Sequence, residues 1–374
     1  MIWLTLKNLF KTVFFILIIT VIIYSSISYI QTKNNVMDIE KYSPISTLNV
    51  KKTKLKRSRF PFVDVHNHQF DMPIKNLNNL VSEMDSLNMA YMINLSGFRG
   101  LYLKKSLKNI NEKAPTRFGL FVNIDFEKID EPNFESNNII IIRDAVNDGV
   151  IGLKVYKSLG LTDKDSNGVR ISINDTRLDP IWKLCGELNI PVLIHSGEPE
   201  AFWLDKDEYN ERWLELRQKP GRYRGDPKKY PTFKTIMSEQ HDIFRKNPET
   251  IFINAHMGWM ANDLDALSEH LDKHKNVMTE IGAVLAELGR QPQRAREFLT
   301  KYKNRILFGK DSYNVTEYYT YFRVLETDDE YFDYYRKRHA HWKMYGLSLP
   351  DSVLKPIYYE NALKLFPNID KTLF

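Results

Sequence analysis

The stretch "DVHNHQF" (Asp64–Phe70) sets the problem for this 374-residue chain. It overlaps the apolar run "FVDV" (62–65) and places His66 and His68 two residues apart. Strand periodicity puts residues i and i+2 on one face, so Asp64, His66 and His68 are expected to share a side. A lone His-x-His pair is weak evidence for a metal site, because two polar residues at the end of a strand have the same spacing. The rest of the chain decides between the two readings.

Seven more short apolar runs come after it: "AYMINL" (90–95), "FGLFVNI" (118–124), "IGLKVY" (151–156), "PVLIH" (191–195), "IFINAH" (251–256), "VMTEIG" (277–282) and "RILFG" (305–309). Most are near-continuous rather than alternating, which suits parallel strands covered on both faces. Helical spacing lies between most of them, as in Leu77, Leu80, Met84 and Leu87, or Leu264, Leu267 and Leu271. "DPIWKLCGELN" adds Asp179 as a cap and Pro180 in a first turn. Eight strand–helix repeats predict an α/β chain folded as a (β/α)8 TIM barrel over residues 60–374. A doubly wound open sheet is the competing architecture. It normally carries a glycine-rich phosphate turn after its first strand, and this sequence has none there. Two long connections, Lys157–Leu178 and Ser196–Pro231, come directly after strands and are expected to rise from the C-terminal face, where barrels build their pockets.

Polar residues mark the ends of these runs. His66 and His68 come after the first, His195 closes the fifth, His256 closes the sixth, and Asp311 comes after the eighth. Lys154 and Glu280 lie inside the fourth and seventh. In a barrel, His66, His68, His195 and Asp311 converge on one mouth. Three imidazoles and a carboxylate suit one borderline divalent cation, Zn2+ being the natural candidate.

The first 59 residues differ from the rest. They hold ten Lys/Arg against two Asp/Glu, a net +8, while the remainder holds 43 against 45, a net −2. The basic character belongs to this segment, and the body carries no electrostatic footprint for nucleic acid. Within the segment, "LFKTVFFILIITVIIYSSISYI" (Leu9–Ile30) is long enough to span a bilayer and has no clear small-x-small cleavage site after it. The expected organisation is a short tail (1–8), an anchor or signal segment (9–31), a basic linker (32–59) and the barrel. Lys7 and Lys11 favour a cytoplasmic N-terminus and an extracytoplasmic body tethered to the lipid bilayer. The single cysteine, Cys185, excludes an intramolecular disulfide.

The segments "VDVHNHQF", "GVIGLKVYKSLG", "IPVLIHSGEP", "TIFINAHMGW", "RILFGKDSY" and "YYENALKLF" together resemble the amidohydrolase superfamily, in its amidohydrolase-related branch. The resemblance covers roughly residues 60–368. It implies that His66, His68, His195 and Asp311 hold one catalytic metal, and that His256 and Asp311 handle protons or developing charge beside it. Some members carboxylate a lysine on the fourth strand to bridge two metals, a role open to Lys154 beside simple active-site electrostatics. Glu280 stands where related sequences often place an aspartate, and "GKD" replaces the usual "GTD", with Lys310 expected to point to the helical layer and snorkel. Asp64 is expected beneath the histidines. Arg222, Arg224 and Arg290 lie on loops suited to contacting a substrate carboxylate. The implied activity is metal-dependent hydrolysis of an amide, lactone or ester of a small molecule, carboxylated or aromatic. The alternatives are a metal-dependent non-oxidative decarboxylase of an aromatic or unsaturated acid, and a non-catalytic membrane-tethered binding protein. A homo-oligomer is compatible with all three.

Overall fold

The computed structural model describes residues 2–34 and 37–374. Met1 of the expected tail, and residues 35 and 36 of the expected linker, lie outside them. Two compact units are present, Met1–Asn49 and Val50–Phe374.

The first unit is built around α1 (Ile2–Asn34). Its apolar stretch Thr5–Thr32 has a mean hydropathy of 2.4 and none of it is buried. Among the described residues it is the single helix long and apolar enough to cross a membrane, a test that an anchor and a signal sequence both pass.

All eight apolar runs of the second unit form strands: β1 (Phe62–Asn67), β2 (Met89–Asn94), β3 (Phe118–Val122), β4 (Gly152–Val155), β5 (Val192–Ile194), β6 (Phe252–Asn254), β7 (Val277–Glu280) and β8 (Ile306–Leu307). They pair in sequence order and every pairing is parallel. β8 returns to β1 through a parallel bridge between Asn67 and Asp311 and a Val65 N–H to Phe308 C=O bond of 3.0 Å, giving a nearly closed eight-stranded barrel. Parallel neighbours need crossovers, and the helices supply them: α2 (Leu77–Leu87), α3 (Gly100–Lys113), α4 (Phe134–Asn147), α5 (Asp179–Glu187), α6 (Trp213–Gln218), α7 (Phe233–Lys246), α8 (Leu264–Lys273), α9 (Leu285–Gly289) and α10 (Pro292–Lys301), with α11 (Val315–Glu326) coming after β8. Several starts are capped by side chains, as Asn76, Thr232, Asp263 and Asn314 accept backbone N–H groups from the first turn of their helices.

Two apolar layers result. Val63, Val65, Ile93, Leu193, Ile253 and Leu307 pack together inside the barrel, with Phe366 of the C-terminal segment against them. Phe62 and the buried apolar side chains of the helices form the larger outer layer.

Residues 51–59 pack on this second unit, so the boundary expected at residue 60 falls within it. Lys51 pairs with Asp328 at 2.8 Å, Thr53 bonds Asp329, Arg57 bonds Asn88 and Arg59 pairs with Asp351 at 2.9 Å. Four of the basic segment's polar side chains thereby face protein partners.

Candidate metal centre

Four imidazoles gather at the C-terminal end of the strands. Ring centroids lie 4.8 Å apart for His66 and His256, 4.4 Å for His195 and His256, and 5.3 Å for His66 and His68. Two of them arrive by routes that strand periodicity does not give. Val63 and Val65 belong to the inner layer, so strict alternation turns His66 outward. The pairing of β1 with β2 shifts register between Asp64 and Asn67, and this irregularity rotates His66 to the mouth. Asp64 stays on the helical side. Its carboxylate accepts from Tyr318 of α11 (2.6 Å), Asn67 (2.8 Å) and the backbone N–H groups of His66 (3.1 Å) and Lys310 (3.2 Å). The shared face expected for Asp64, His66 and His68 is therefore corrected: Asp64 supports the site through the β1 backbone. Its burial raises the carboxyl to about 6 despite those bonds.

His256 makes a similar departure. Ala255 packs inside the barrel, and the chain then runs through His256, Met257, Gly258 and Trp259 with φ of 57°, 53°, 61° and 57°. Left-handed backbone in three non-glycine residues costs roughly 1–2 kcal/mol each, and such strain concentrates at functional sites. Ala283 (φ 57°) and Asp311 (φ 81°) at the same mouth share it.

Glu280, at the end of β7, ties these departures together. One carboxylate oxygen lies 2.9 Å from His66 Nδ1 and accepts the His256 backbone N–H at 2.6 Å, while the other accepts the Gly282 N–H. Burial alone raises a carboxyl, but the contacts from His66 and His256 outweigh it and hold Glu280 down at about 2. An ionised carboxylate only accepts, so His66 carries its proton on Nδ1. His256 Nδ1 donates to the Gly282 carbonyl at 2.8 Å by the same logic. The Nε2 lone pairs of both rings are then left facing the mouth. Space for the long Glu280 side chain comes from two glycines. A Cβ at Gly309 would meet Glu280 Oε2 at 2.5 Å and His66 Cβ at 3.0 Å, and one at Gly282 would meet Oε2 at 2.6 Å.

The Nε2 atoms of His66, His195 and His256 are buried and have no hydrogen-bond partner among the described residues, and neither does Lys154 Nζ. Leaving such atoms without partners is costly. Asp311 Oδ1 lies 3.6 Å from both His66 Nε2 and His68 Nε2. That exceeds a hydrogen bond, and it is close to the ~3.3 Å edge between ligands of a tetrahedral ion with bonds of about 2.0 Å. His66, His68 and Asp311 form one compact donor group and His66, His256 and Glu280 another. The first fits a cation better, since the second is already held by hydrogen bonds and places Glu280 behind His66 as an orienting carboxylate. His195 belongs to neither group, its ring lying 6.5 Å from that of His66. Burial lowers the imidazoles of His68 and His195 well below their usual value, and that of His256 to about 4, so all three are neutral ligands or bases near neutral pH. Burial also lowers Lys154 to about 7, against the pull of Asp311 and Glu280.

Other expected site residues lie elsewhere. Arg222 is paired with Glu215. Arg224 is paired with Glu198 at 3.3 Å, and Arg290 with Glu211 and Glu287, each at 2.6 Å. All three guanidiniums are committed to the protein's own carboxylates. Lys310 does face the helical layer but does not reach solvent: it is buried and paired with Glu317 at 2.5 Å, which corrects the expectation of snorkelling. The sequence reading missed Ser96, whose hydroxyl lies 2.8 Å from His68 Nδ1, and Trp259, whose ring packs 4.7 Å from His256 and 5.8 Å from His195. Trp259 closes the quoted segment "TIFINAHMGW", the one signal that pointed near it. Three further histidines, His241, His270 and His274, stack between α7 and α8, with centroids 4.0–6.0 Å apart.

A family model described as Amidohydrolase matches residues 125–367, more than half of the chain, including His195, His256, Glu280 and Asp311. No curated protein matches. Solved structures match in fold. An uncharacterised TIM-barrel protein from Bordetella bronchiseptica is 12% identical with a TM-score of 0.52, covering 82% of this chain and 99% of its own. A Staphylococcus aureus protein provisionally named an amidohydrolase is 15% identical with a TM-score of 0.50, covering 82% and 100%.

Proposed function

The chain belongs to the amidohydrolase family, and from that premise we propose that its barrel mouth hydrolyses an amide, lactone or ester of a small molecule with one divalent ion, zinc, held by His66, His68 and Asp311, with His195 completing the set. The observation that carries this reading is the group of unpartnered, buried Nε2 atoms beside Asp311 Oδ1. Imidazole and carboxylate donors suit zinc. When bound, such an ion polarises a carbonyl and acidifies water.

The chain's own residues supply the rest. Glu280 fixes the His66 tautomer and holds the strained His256 backbone. His256, neutral and with Nε2 free of protein partners, takes a proton from the attacking water or passes it to the leaving group. Asp311 is held well below the usual carboxylate range: burial opposes this, but the neighbouring imidazoles of His66, His256 and His68 and the Lys154 side chain outweigh it, so it stays an anionic ligand or proton acceptor. Lys154 Nζ, buried without an acceptor, is placed to meet a substrate oxygen as negative charge develops on it. The helix α1 is read as an uncleaved anchor that leaves the barrel on the extracytoplasmic side, supported by its apolar length and the lysines at its start.

Metal analysis of the purified chain tests the core of this reading. About one equivalent is expected, with His66→Ala and Asp311→Ala each losing most of it. Full retention by both variants would show the ligand set to be wrong. Two equivalents, with added mass on Lys154, would replace it with a carbamate-bridged pair. Turnover in 18O-water separates hydrolysis, which places solvent oxygen in a product, from decarboxylation, which releases CO2 and does not.

A further inference from the structure

A cavity of about 250 Å³ lies beside the imidazole cluster, lined by the segments immediately after β5, β6 and β7 and by the lid around Tyr209. Trp259 belongs to both, since it lines the cavity and packs its ring on His256 and His195. We propose that this cavity receives the remote end of the substrate and selects a cationic group, such as a primary ammonium next to a flat apolar portion, over a carboxylate. The proposal rests on the hydrolase reading only in treating the cavity as part of the substrate path.

Charge and commitment of the lining groups carry the argument. The wall presents three carboxylates, Glu200, Glu211 and Glu287, and one guanidinium, Arg212. Arg212 is engaged by Glu215 at 3.2 Å, Glu287 at 2.5 Å and the His339 carbonyl at 2.7 Å. Nε is the one guanidinium nitrogen without an acceptor, and it is buried, while both Nη atoms are already committed to the protein's own oxygens. Arg290, behind the wall, is held by Glu211 and Glu287 and lies 4.0 Å over the Trp342 ring. The arginines suited by position to a substrate carboxylate therefore bind the protein's own. Glu200 stands exposed at the rim, with Oε2 accepting from Asn262 at 3.2 Å. Glu211 and Glu287 are paired with these arginines, so among the described residues the lining carboxylate without a cationic partner is Glu200; it repels an entering carboxylate and offers acceptor oxygens to an ammonium. The aromatic faces of Tyr209 and Trp259 favour a ring or a cation beside them.

Calorimetric titration of the metal-loaded full chain in detergent, at pH 7, reads this directly. The probes are benzylamine (protonated at this pH), benzyl alcohol and benzenesulfonate, similar in size, differing in charge and weak as metal ligands. Benzylamine is expected to bind at least about tenfold tighter than benzenesulfonate, with an advantage that shrinks as salt is raised. Glu200→Gln should reduce that advantage several-fold and Glu200→Lys should abolish or reverse it; the side chain is exposed, so both variants are expected to fold. Equal or tighter binding of the sulfonate, no binding of any probe, or benzylamine binding indifferent to Glu200 would overturn the proposal. These titrations need no turnover. A chain that selects benzylamine yet hydrolyses no amide, ester or lactone refutes the hydrolase reading and leaves the cavity assignment standing.

Discussion

Gly309→Ala tests how the site is assembled. The new methyl would sit 2.5 Å from Glu280 Oε2 and 3.0 Å from His66 Cβ, both closer than ordinary contact. A free glutamate could swing aside cheaply. Glu280 cannot, because it is buried and holds the His66 ring, the His256 N–H and the Gly282 N–H together. Overpacking of this kind costs about 1–3 kcal/mol, and moving the orienting carboxylate is expected to weaken metal binding by about 10–100-fold. Glu280→Asp shortens the same side chain by one methylene and loosens its charged hydrogen bonds, worth ~1.5–3 kcal/mol each. In the double variant the shorter carboxylate retreats from the added methyl. The two costs should then fall short of their sum by on the order of 1 kcal/mol. Denaturant midpoints give the stability cycle, and chelator competition gives the metal cycle. Strict additivity in both, or wild-type metal affinity for Gly309→Ala alone, would refute the claim that Glu280 orients His66 through space kept open by glycine.

Two further outcomes are expected from the fold. Burial lowers His241 to about 4 and His270 to about 2. An unfolded histidine titrates near 6.5, so below that pH the unfolded chain binds more protons, and this stability is full above about 6.5 and lost as pH falls. The loss reaches on the order of 3 kcal/mol by pH 4 for one such group. His270→Leu, which removes two unpartnered ring nitrogens, is expected to melt near the wild-type temperature at pH 7 and to flatten the acid limb; parallel curves would exclude the cluster as its cause. The anchor reading predicts that the full-length chain stays with membranes through alkaline carbonate washing and keeps its N-terminal residues, whereas a released chain starting beyond residue 30 refutes it.

Most of the barrel was legible because burial on both faces writes each strand as a short apolar run. His195 and Asp311 were legible for a related reason: they keep the inward parity of Leu193 and Leu307, which pack inside the barrel. His66 and His256 lie at recognisable strand ends, yet their orientation was not legible. Parity fails where the backbone leaves the regular strand, at the register shift of β1 and the left-handed turn after β6. The loop arginines were misleading for another reason. A guanidinium on a lid looks available in sequence, and its carboxylate partner lies far along the chain, as Glu211 does for Arg290.

The two departures from parity share one remedy. A bulge and a left-handed turn are each unfavourable, and either alone could relax by letting its imidazole swing out. Glu280 bonds the ring of one and the backbone of the other through the same oxygen, so neither can relax without breaking the hold on its neighbour. The β1 side of this linkage continues across the barrel seam, where the Asp311 N–H bonds the His66 carbonyl at 2.6 Å. Closure of β8 on β1 and orientation of the donor atoms are therefore parts of one hydrogen-bonded unit. A carboxylate at position 280 is required for that geometry even though it never needs to touch substrate, and this is the role its place behind His66 supports.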